Sequence, residues 1–433
     1  MKVLVLGTGA QGSTVARNLD KEPKVSKIIC ADMDEQQVTS LASSLRSAEG
    51  VCVDAENYSE IRKLMESCDL VVNALPLEFG KNVLDAALDA GCNYQDFAAC
   101  EGIGDSWEEG MEIMLTEYDR KFREAGLLAV IGTGTAPGIM CIAAREAVKH
   151  VDEAETIYIN IYDGVRTEKF VPFWWSPHVA LNDMVDKPVA FINGKLVNTE
   201  PFTMPITREY DYLGKPVTLV EHAHDEPFYV GMRADDLFKG CKNAYFKYGG
   251  VGIKFAEPLA RAGLLKRDPV EIDGQMVNTH EVILKFLPSP PRFAHEVEEI
   301  IKEGLVSDDG AFVVEALGKK DGKPVRVESH LSAPGFVESF EKFGVTGEQY
   351  LTGQGGFLFT KLFVNDQLED QSGFISSAEL SEEANDKYLE YAAELEITLE
   401  RRIIYDDPYF EEQEPAKEFV PWWEQPTITP VEL

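Results

Sequence analysis

The sequence predicts an α/β protein built on a doubly wound parallel sheet. Three observations predict it: apolar runs alternate with amphipathic stretches over residues 1 to about 140, three glycines break the chain between the first run and the first helix, and hairpin patterning appears further along. Strand, helix, strand repetition implies parallel neighbours joined by right-handed crossovers, with helices on both faces.

The six predicted strands are "KVLVLG", "KIICAD", "GVCVD", "DLVVNAL", "CNYQDF" and "LLAVIG". Between them, "DEQQVTSLASSLRS", "SEIRKLMESC", "GKNVLDAALDAG" and "WEEGMEIMLTEYDRKFREAG" carry apolar residues at three- and four-residue spacing, the period of a helix with one buried face. Gly7, Gly9 and Gly12 follow the first strand and precede a helix that starts near Gln11, and Ala10 and Gln11 are expected at the cofactor with them. In that context GxGxxG is a Rossmann-type dinucleotide loop. Gly7 permits the turn, Gly9 admits a pyrophosphate against bare backbone, and Gly12 lets helix pack on strand. The helix's free N–H groups then hold the anion. Twenty residues on, Asp32 ends the second strand, where a carboxylate bonds ribose hydroxyls and repels a 2′-phosphate. This favours NAD over NADP; the alternative is that Asp32 or Asp34 caps the next helix. Asp54, Asn73 and Ala74 end the third and fourth strands and are expected beside the adenine and nicotinamide, or else as plain turn residues.

Composition excludes several classes. With 75 acidic and 41 basic residues the net charge is −34, which repels nucleic acid and anionic lipid. No run of about 18 apolar residues spans a membrane and the N-terminus lacks a signal-peptide pattern, so the expected location is cytoplasmic. The seven cysteines are scattered at spacings that suit neither a disulfide framework nor a CxxC metal site.

The combination of "MKVLVLGTGAQG", "DLVVNALP", "GTGTAPGIM", "WWSPHVALNDMVDKPVAFINGK" and "YLTGQGG" resembles the saccharopine dehydrogenase superfamily, most of all its lysine 6-dehydrogenase-like branch, over residues 1 to about 385. The resemblance implies an NAD(P)-dependent dehydrogenase acting on CH–NH2 or CH–NH donors, a small-molecule amine or amino-acid substrate, and a homodimer. It also implies that the second domain is inserted. The nucleotide domain is expected over residues 1–140 and about 347–385, a mixed α/β substrate and dimerisation domain over 141–346, and a C-terminal helix with an acidic tail over 386–433, where Trp422 and Trp423 cover a partner subunit or dock on the same chain. Within the insert, "FVVEALGKKDGKPVRVESHL" reads as a hairpin.

Amine oxidation needs a neutral nitrogen and hence a base. Asp96, ending the fifth strand, is one candidate; its alternative is to cap a turn. Cys100 in the following loop is placed near substrate, or in packing. Trp175 and Ser176 match a WSP motif of the superfamily, and His178 stands where saccharopine-forming relatives carry arginine, which points away from saccharopine as ligand; a packing role is its alternative. In "VEHAHDEPFYV", strand alternation puts His222, His224 and Glu226 on one face. A polar patch contacting the substrate is preferred to a metal site, because Pro227 breaks the strand and hydride transfer needs no metal. Arg166, Arg233 and Lys242 are the candidate cations for a substrate carboxylate. The leading expectation is oxidation of an amine to an imine; the alternatives are an opine-type reductase joining a keto acid or aldehyde to an amine, and a non-catalytic NAD(H)-binding regulator.

Overall fold

The computed structural model describes residues 1–98, 101–291 and 294–405. The strands β1 (Lys2–Leu6), β2 (Lys27–Asp32), β3 (Ala48–Cys52), β4 (Leu70–Asn73), β5 (Asn93–Asp96) and β6 (Leu128–Ile131) fall on the six apolar runs. All pair in parallel. The near-continuous apolar character of the central strands β1 and β4 follows from burial on both faces: Val3, Leu4, Val5, Val71 and Val72 are fully enclosed.

Chain reversal at the first crossover places the helix Ala10–Leu19 directly after Gly9, and Asp34 caps the next helix, Glu35–Ser43, by accepting from the Gln37 N–H at 2.9 Å. The long stretch predicted after the fifth strand is helical from Trp107 to Ala125 with a local bulge at Met114–Tyr118.

The chain then builds a second, mixed sheet from β7 (Glu153–Thr167), β8 (Val189–Ile192), β9 (Lys195–Asn198), β10 (Ile206–Glu209), β11 (Pro216–Glu221) and β12 (Asn243–Gly250). A small ribbon follows, β13 (Val270–Ile272) with β14 (Gln275–Val277), and then the predicted hairpin, β15 (Leu305–Lys320) with β16 (Lys323–Ser332), in register from Val313 opposite His330 to Lys320 opposite Lys323. The chain returns to the parallel sheet through the helix Gly347–Val364, whose glycines allow close approach: a Cβ on Gly353 would lie 2.7 Å from Thr14, and one on Gly356 2.3 Å from Phe97. The strand β17 (Gly373–Ser376) pairs with β6 and completes the order β17-β6-β5-β4-β1-β2-β3.

Beyond it, the expectation of a helix and tail is corrected at one point. After the helix Glu382–Ala393, β18 (Thr398–Tyr405) pairs antiparallel with β16 and forms an edge of the nine-stranded sheet. Alternation in "TLERRIIY" masks this strand, because charged and apolar residues share it and most are exposed. Trp422 and Trp423 lie outside the described residues.

One face of the mixed sheet is apolar: Ile157, Ile159 and Ile161 are buried in the main hydrophobic cluster. The other carries a buried ionic network. Arg208 Nε lies 2.9 Å from both oxygens of Glu315, Arg326 reaches Glu315 and Glu328, and His330 Nε2 is 2.7 Å from Glu328. Among the described residues, no helix is long and apolar enough to cross a membrane.

Candidate active site

The glycine loop passes a steric test for a nucleotide cradle. Gly7 has φ +91°, and a Cβ there would sit 2.7 Å from the Ala74 carbonyl oxygen; at Gly12 it would sit 1.9 Å from the Gly7 carbonyl oxygen, whereas at Gly9 it meets nothing within 4 Å. Two glycines are therefore demanded by the protein itself, and the third leaves open the space that a pyrophosphate needs. No side chain caps the helix after Gly9, so its first N–H groups face that space, and Gln11 Oε1 there has no hydrogen-bond partner among the described residues. Gly7, Gly9, Ala10, Gln11 and Gly12 would thus hold the phosphates of a dinucleotide.

Asp32 is oriented by the loop. Its Oδ2 accepts from the Thr8 N–H at 2.6 Å and from Thr8 Oγ1 at 3.0 Å, and Gln37 Nε2 donates to that same hydroxyl at 3.1 Å. Asp54 is exposed, at the far edge of the sheet, with its Oδ1 accepting from the Glu56 N–H in its own turn. Asn73 is buried: its amide donates to Tyr94 Oη at 3.1 Å and its Oδ1 accepts from the Leu75 N–H. Ala74 flanks the loop, its carbonyl packed against Gly7.

Asp96 occupies the expected strand end, with a different task. It is 4 % exposed, its Oδ1 accepts from the Gly132 N–H at 3.1 Å, and its Oδ2 accepts from Tyr94 Oη at 2.9 Å. These two bonds, one to each oxygen, tie β5 to the loop after β6 and fix the carboxylate in place. Cys100 lies outside the described residues.

The second domain meets these strand ends through two segments. In the first, Trp175 is half-buried and packs edge-on against Phe173 and Tyr248, with centroids 5.7 and 6.1 Å apart. Ser176 is exposed and precedes the helix Pro177–Asp183, its carbonyl accepting from the Ala180 N–H. His178 is exposed in the first turn, its Nε2 3.4 Å from the Asn182 amide. The second segment corrects the strand alternation. β11 ends at Glu221, His222 to His224 are irregular, and Glu226 and Pro227 open the helix Glu226–Met232. His224 and Glu226 nevertheless meet, by the turn rather than the pleat: Nδ1 lies 2.5 Å from Oε2. Tyr229 of that helix donates to Asp225 at 3.3 Å and lies beside Gly132, which brings the dyad to the ends of β5 and β6.

The electrostatics separate the two histidines. His222 is 3 % exposed and stacks on Tyr248 at 4.9 Å; burial, aided by the His224 charge, lowers its pKa to about 3, so it is neutral. His224 keeps 22 % of its side chain accessible and stacks on Phe246 at 4.2 Å. Burial opposes its charge, but the Glu226 carboxylate outweighs burial and lifts its pKa to about 9. Asp183, which sequence reading passed over, stands at the end of the helix Pro177–Asp183. It is half-buried and within electrostatic reach of His224, and burial pushes its carboxyl up to about 7 despite that histidine, with Asp186 and Asp225 adding to the rise. A group of this kind is invisible in "HVALND", since its acidity depends on segments over forty residues away. Among the described residues, no three metal-ligating side chains converge.

The fold and the glycine loop are those of a Rossmann-type dinucleotide-binding protein, and comparison with known proteins supports an NAD(P)-dependent dehydrogenase acting on C–N groups. A family model described as saccharopine dehydrogenase NADP binding domain matches residues 3–130. The carboxyaminopropylagmatine dehydrogenase of Synechocystis sp. is 26% identical over 309 residues, 68% of this chain and 74% of that protein. The carboxynorspermidine synthase of Vibrio alginolyticus is 26% identical over 348 residues, covering 75% and 79%. Among solved structures, saccharopine dehydrogenase (L-Glu forming) from Saccharomyces cerevisiae has a TM-score of 0.64 at 16% identity, covering 93% of this chain and 99% of that one. The homospermidine synthase of Legionella pneumophila, solved in complex with NAD, has a TM-score of 0.64 at 11% identity, covering 97% and 95%; both likenesses speak for the fold. Residues 3–130 thus match a saccharopine dehydrogenase NADP-binding domain, and most of the chain is similar to dehydrogenases and synthases of carboxylated polyamines.

Proposed function

We propose that this enzyme reductively couples a carbonyl compound to a polyamine-type amine. The observation that carries the reading is the acidic setting of His224: Asp183, Asp225 and Glu226 surround one imidazole at the ends of the parallel strands. Such a setting favours a cationic amine. The activities for which the relatives are named weigh the same way, and so favour coupling over the lysine 6-dehydrogenase-like oxidation expected first. Cofactor preference is NAD, because a 2′-phosphate at the end of β2 would face Asp32, Asp34 and Glu35.

A bound nicotinamide dinucleotide supplies the hydride. The residues of the chain supply the protons and the geometry. Asp183 accepts a proton from the entering ammonium, leaving a lone pair to attack the carbonyl carbon. His224, held as imidazolium by Glu226, donates its proton to the carbinolamine hydroxyl, which leaves as water. After reduction of the resulting iminium, Asp183 returns its proton to the secondary amine. His224 regains one from solvent, so the reaction consumes one proton and one hydride overall. Trp175, Tyr248 and Phe246 form the aromatic wall beneath, and aromatic faces suit an ammonium.

The test is NADH consumption, followed by absorbance, with aldehyde and diamine pairs, and mass spectrometry of the secondary amine. Coupling with diamines and none with a neutral alcohol is expected; an enzyme that binds NADH and turns over no pair overturns the reading. The homodimer and the cytoplasmic location expected from the sequence belong to the same reading, and sedimentation and cell fractionation check them.

A further inference from the structure

The layers on the two sheets do not close on each other completely. A cavity of about 220 Å³ lies between the helices Met140–Val148 and Glu382–Ala393 on one side and β16 and β18 on the other. Ala147, Leu389, Ile397 and Leu399 make its apolar wall, and the more exposed His150 and Arg401 its polar rim.

We propose that the C-terminal segment, residues 406–433, folds back on its own chain and seats an indole of the Trp422–Trp423 pair in this cavity, strapping the two sheets together. The segment lies outside the described residues, and three features of the described ones suit it as the occupant. The first is size and chemistry. The volume exceeds the roughly 150 Å³ that takes up a benzene ring, so an apolar wall of this extent accepts one large aromatic side chain. Two tryptophans left in water would be costly, and burying one removes about 150–250 Å² of surface.

The second feature is place. Leu399 and Arg401 line the cavity, and by strand alternation Ile403 and Tyr405 share their face of β18. Those two are 37% and 49% exposed, an apolar track from the cavity to the point where the segment begins. Arg401 and Tyr405 are about 13 Å apart along the strand, whereas the stretch from Tyr405 to Trp422 reaches up to about 60 Å when extended. A tether of this length holds the indoles near their own cavity at about millimolar effective concentration, which selects the same chain over a second copy.

The third feature is charge. The chain carries −34 in all, and the segment is acidic from Asp406 to Glu432 with Lys417 its one cation, so most of the surface repels it. The cavity rim is an exception. Arg401 donates to His150 Nε2 at 2.5 Å and pairs with no carboxylate among the described residues, and Lys320 lies within electrostatic reach of the same imidazole. The carboxylate in the wall, Glu146, is taken up by the Asn385 amide at 2.8 Å and by Lys149 at 2.5 Å, a lysine shared with Glu382 and Asp386. Seating Trp423 carries Glu424, the next residue, to the Arg401 rim, and a guanidinium also suits an indole face.

In the full-length protein, Trp423→p-benzoylphenylalanine places a photo-crosslinking group at the proposed contact, and mass spectrometry maps the product. A cross-link within one chain to residues 143–150 or 389–401 is expected. A product of doubled mass makes a second copy the occupant, and a cross-link elsewhere, or none, denies the cavity; each of these overturns the proposal. Trypsin cleavage after Lys417 gives an independent readout. Trp422→Ala with Trp423→Ala, and separately Arg401→Glu, should speed it by about tenfold or more, with NAD binding retained as the sign of a folded protein. Equal cleavage rates in wild type and the double tryptophan variant also overturn the strap. That variant leaves every described residue unchanged, so the comparison stands even where Arg401→Glu fails to fold.

Discussion

The two sheets of this protein solve different problems. The parallel sheet is enclosed on both faces by apolar side chains, and its functional edge acts through backbone: glycines, helix N–H groups and carbonyls at strand ends. The mixed sheet is apolar on one face and ionic on the other, and the segments beside it, the turn after β11 and the helices Pro177–Asp183 and Glu226–Met232, bring the side chains of His224, Glu226 and Asp183 together. A backbone site tolerates almost no change in shape but is indifferent to most side chains. A side-chain site is the reverse, and each prediction below separates the two.

The largest effect is expected at Gly12. A Cβ 1.9 Å from a carbonyl oxygen cannot be accommodated without moving the loop, so Gly12→Ala should abolish NAD binding in calorimetry and lower the Tm. Gly9→Ala, with open space around it, should leave the Tm of the ligand-free protein within about 2 °C and weaken NAD by about tenfold or more. Equal destabilisation by both would show that the loop is shaped by something other than the phosphate space.

On the mixed sheet, Glu315→Gln removes the carboxylate shared by Arg208 and Arg326 and leaves two guanidinium groups buried with one anion fewer. The expected cost is about 3–5 kcal/mol, read as a lower midpoint in urea unfolding with NAD affinity unchanged. A double replacement of Arg208 and Glu315 by apolar residues should recover part of that loss.

Legibility in the sequence followed the same division. Six of the seven strands of the parallel sheet could be read because short apolar runs alternate with helical stretches there, and the glycine loop sits between the first run and the first helix; β17, which joins the sheet only after the second domain, was not foreseen. Asp34 as a helix cap and the β15 to β16 hairpin were legible on equally local grounds. The side-chain chemistry was not, since it depends on approach between distant segments. His224 and Glu226 were named from a strand alternation that does not exist, and meet because a helix begins at Glu226. Asp96 occupies the expected strand end, but the Gly132 N–H that fixes it, together with Tyr94, comes from the end of a neighbouring strand and is not visible locally. Asp183 carried no local signal at all. β18 was missed because an exposed edge strand has neither a buried face nor a distinctive period.

The side-chain chemistry should show its own pH signature. Asp183 acts ionised, so kcat/KM should rise with pH through about 7; His224 acts protonated, so it should fall again through about 9. Asp183→Asn should remove the acidic limb and His224→Gln the alkaline one, each with a loss of about 10²- to 10⁴-fold and little change in Tm. A profile flat across pH 6 to 10 in wild type would deny both assignments.

The smallest effects distinguish two aspartates that sequence reading placed in the same site. Asp32 is fixed over the loop by Thr8, and on the reading proposed above it bonds ribose hydroxyls, so that Asp32→Ala should weaken NAD by about 10- to 100-fold while relaxing discrimination against NADP. Asp54 lies at the sheet edge, exposed, with its carboxylate spent on the Glu56 N–H of its own turn. Asp54→Ala should therefore change NAD affinity by less than about twofold, within the range of ordinary surface substitutions. Both residues follow strands of one parallel sheet, and only the position of the strand separates them: β2 lies beside β1 and its glycine loop, whereas β3 is one strand further out. A loss on Asp54→Ala comparable to that on Asp32→Ala would mean that the adenine end of the site reaches one strand beyond the place where Thr8 and Asp32 centre it.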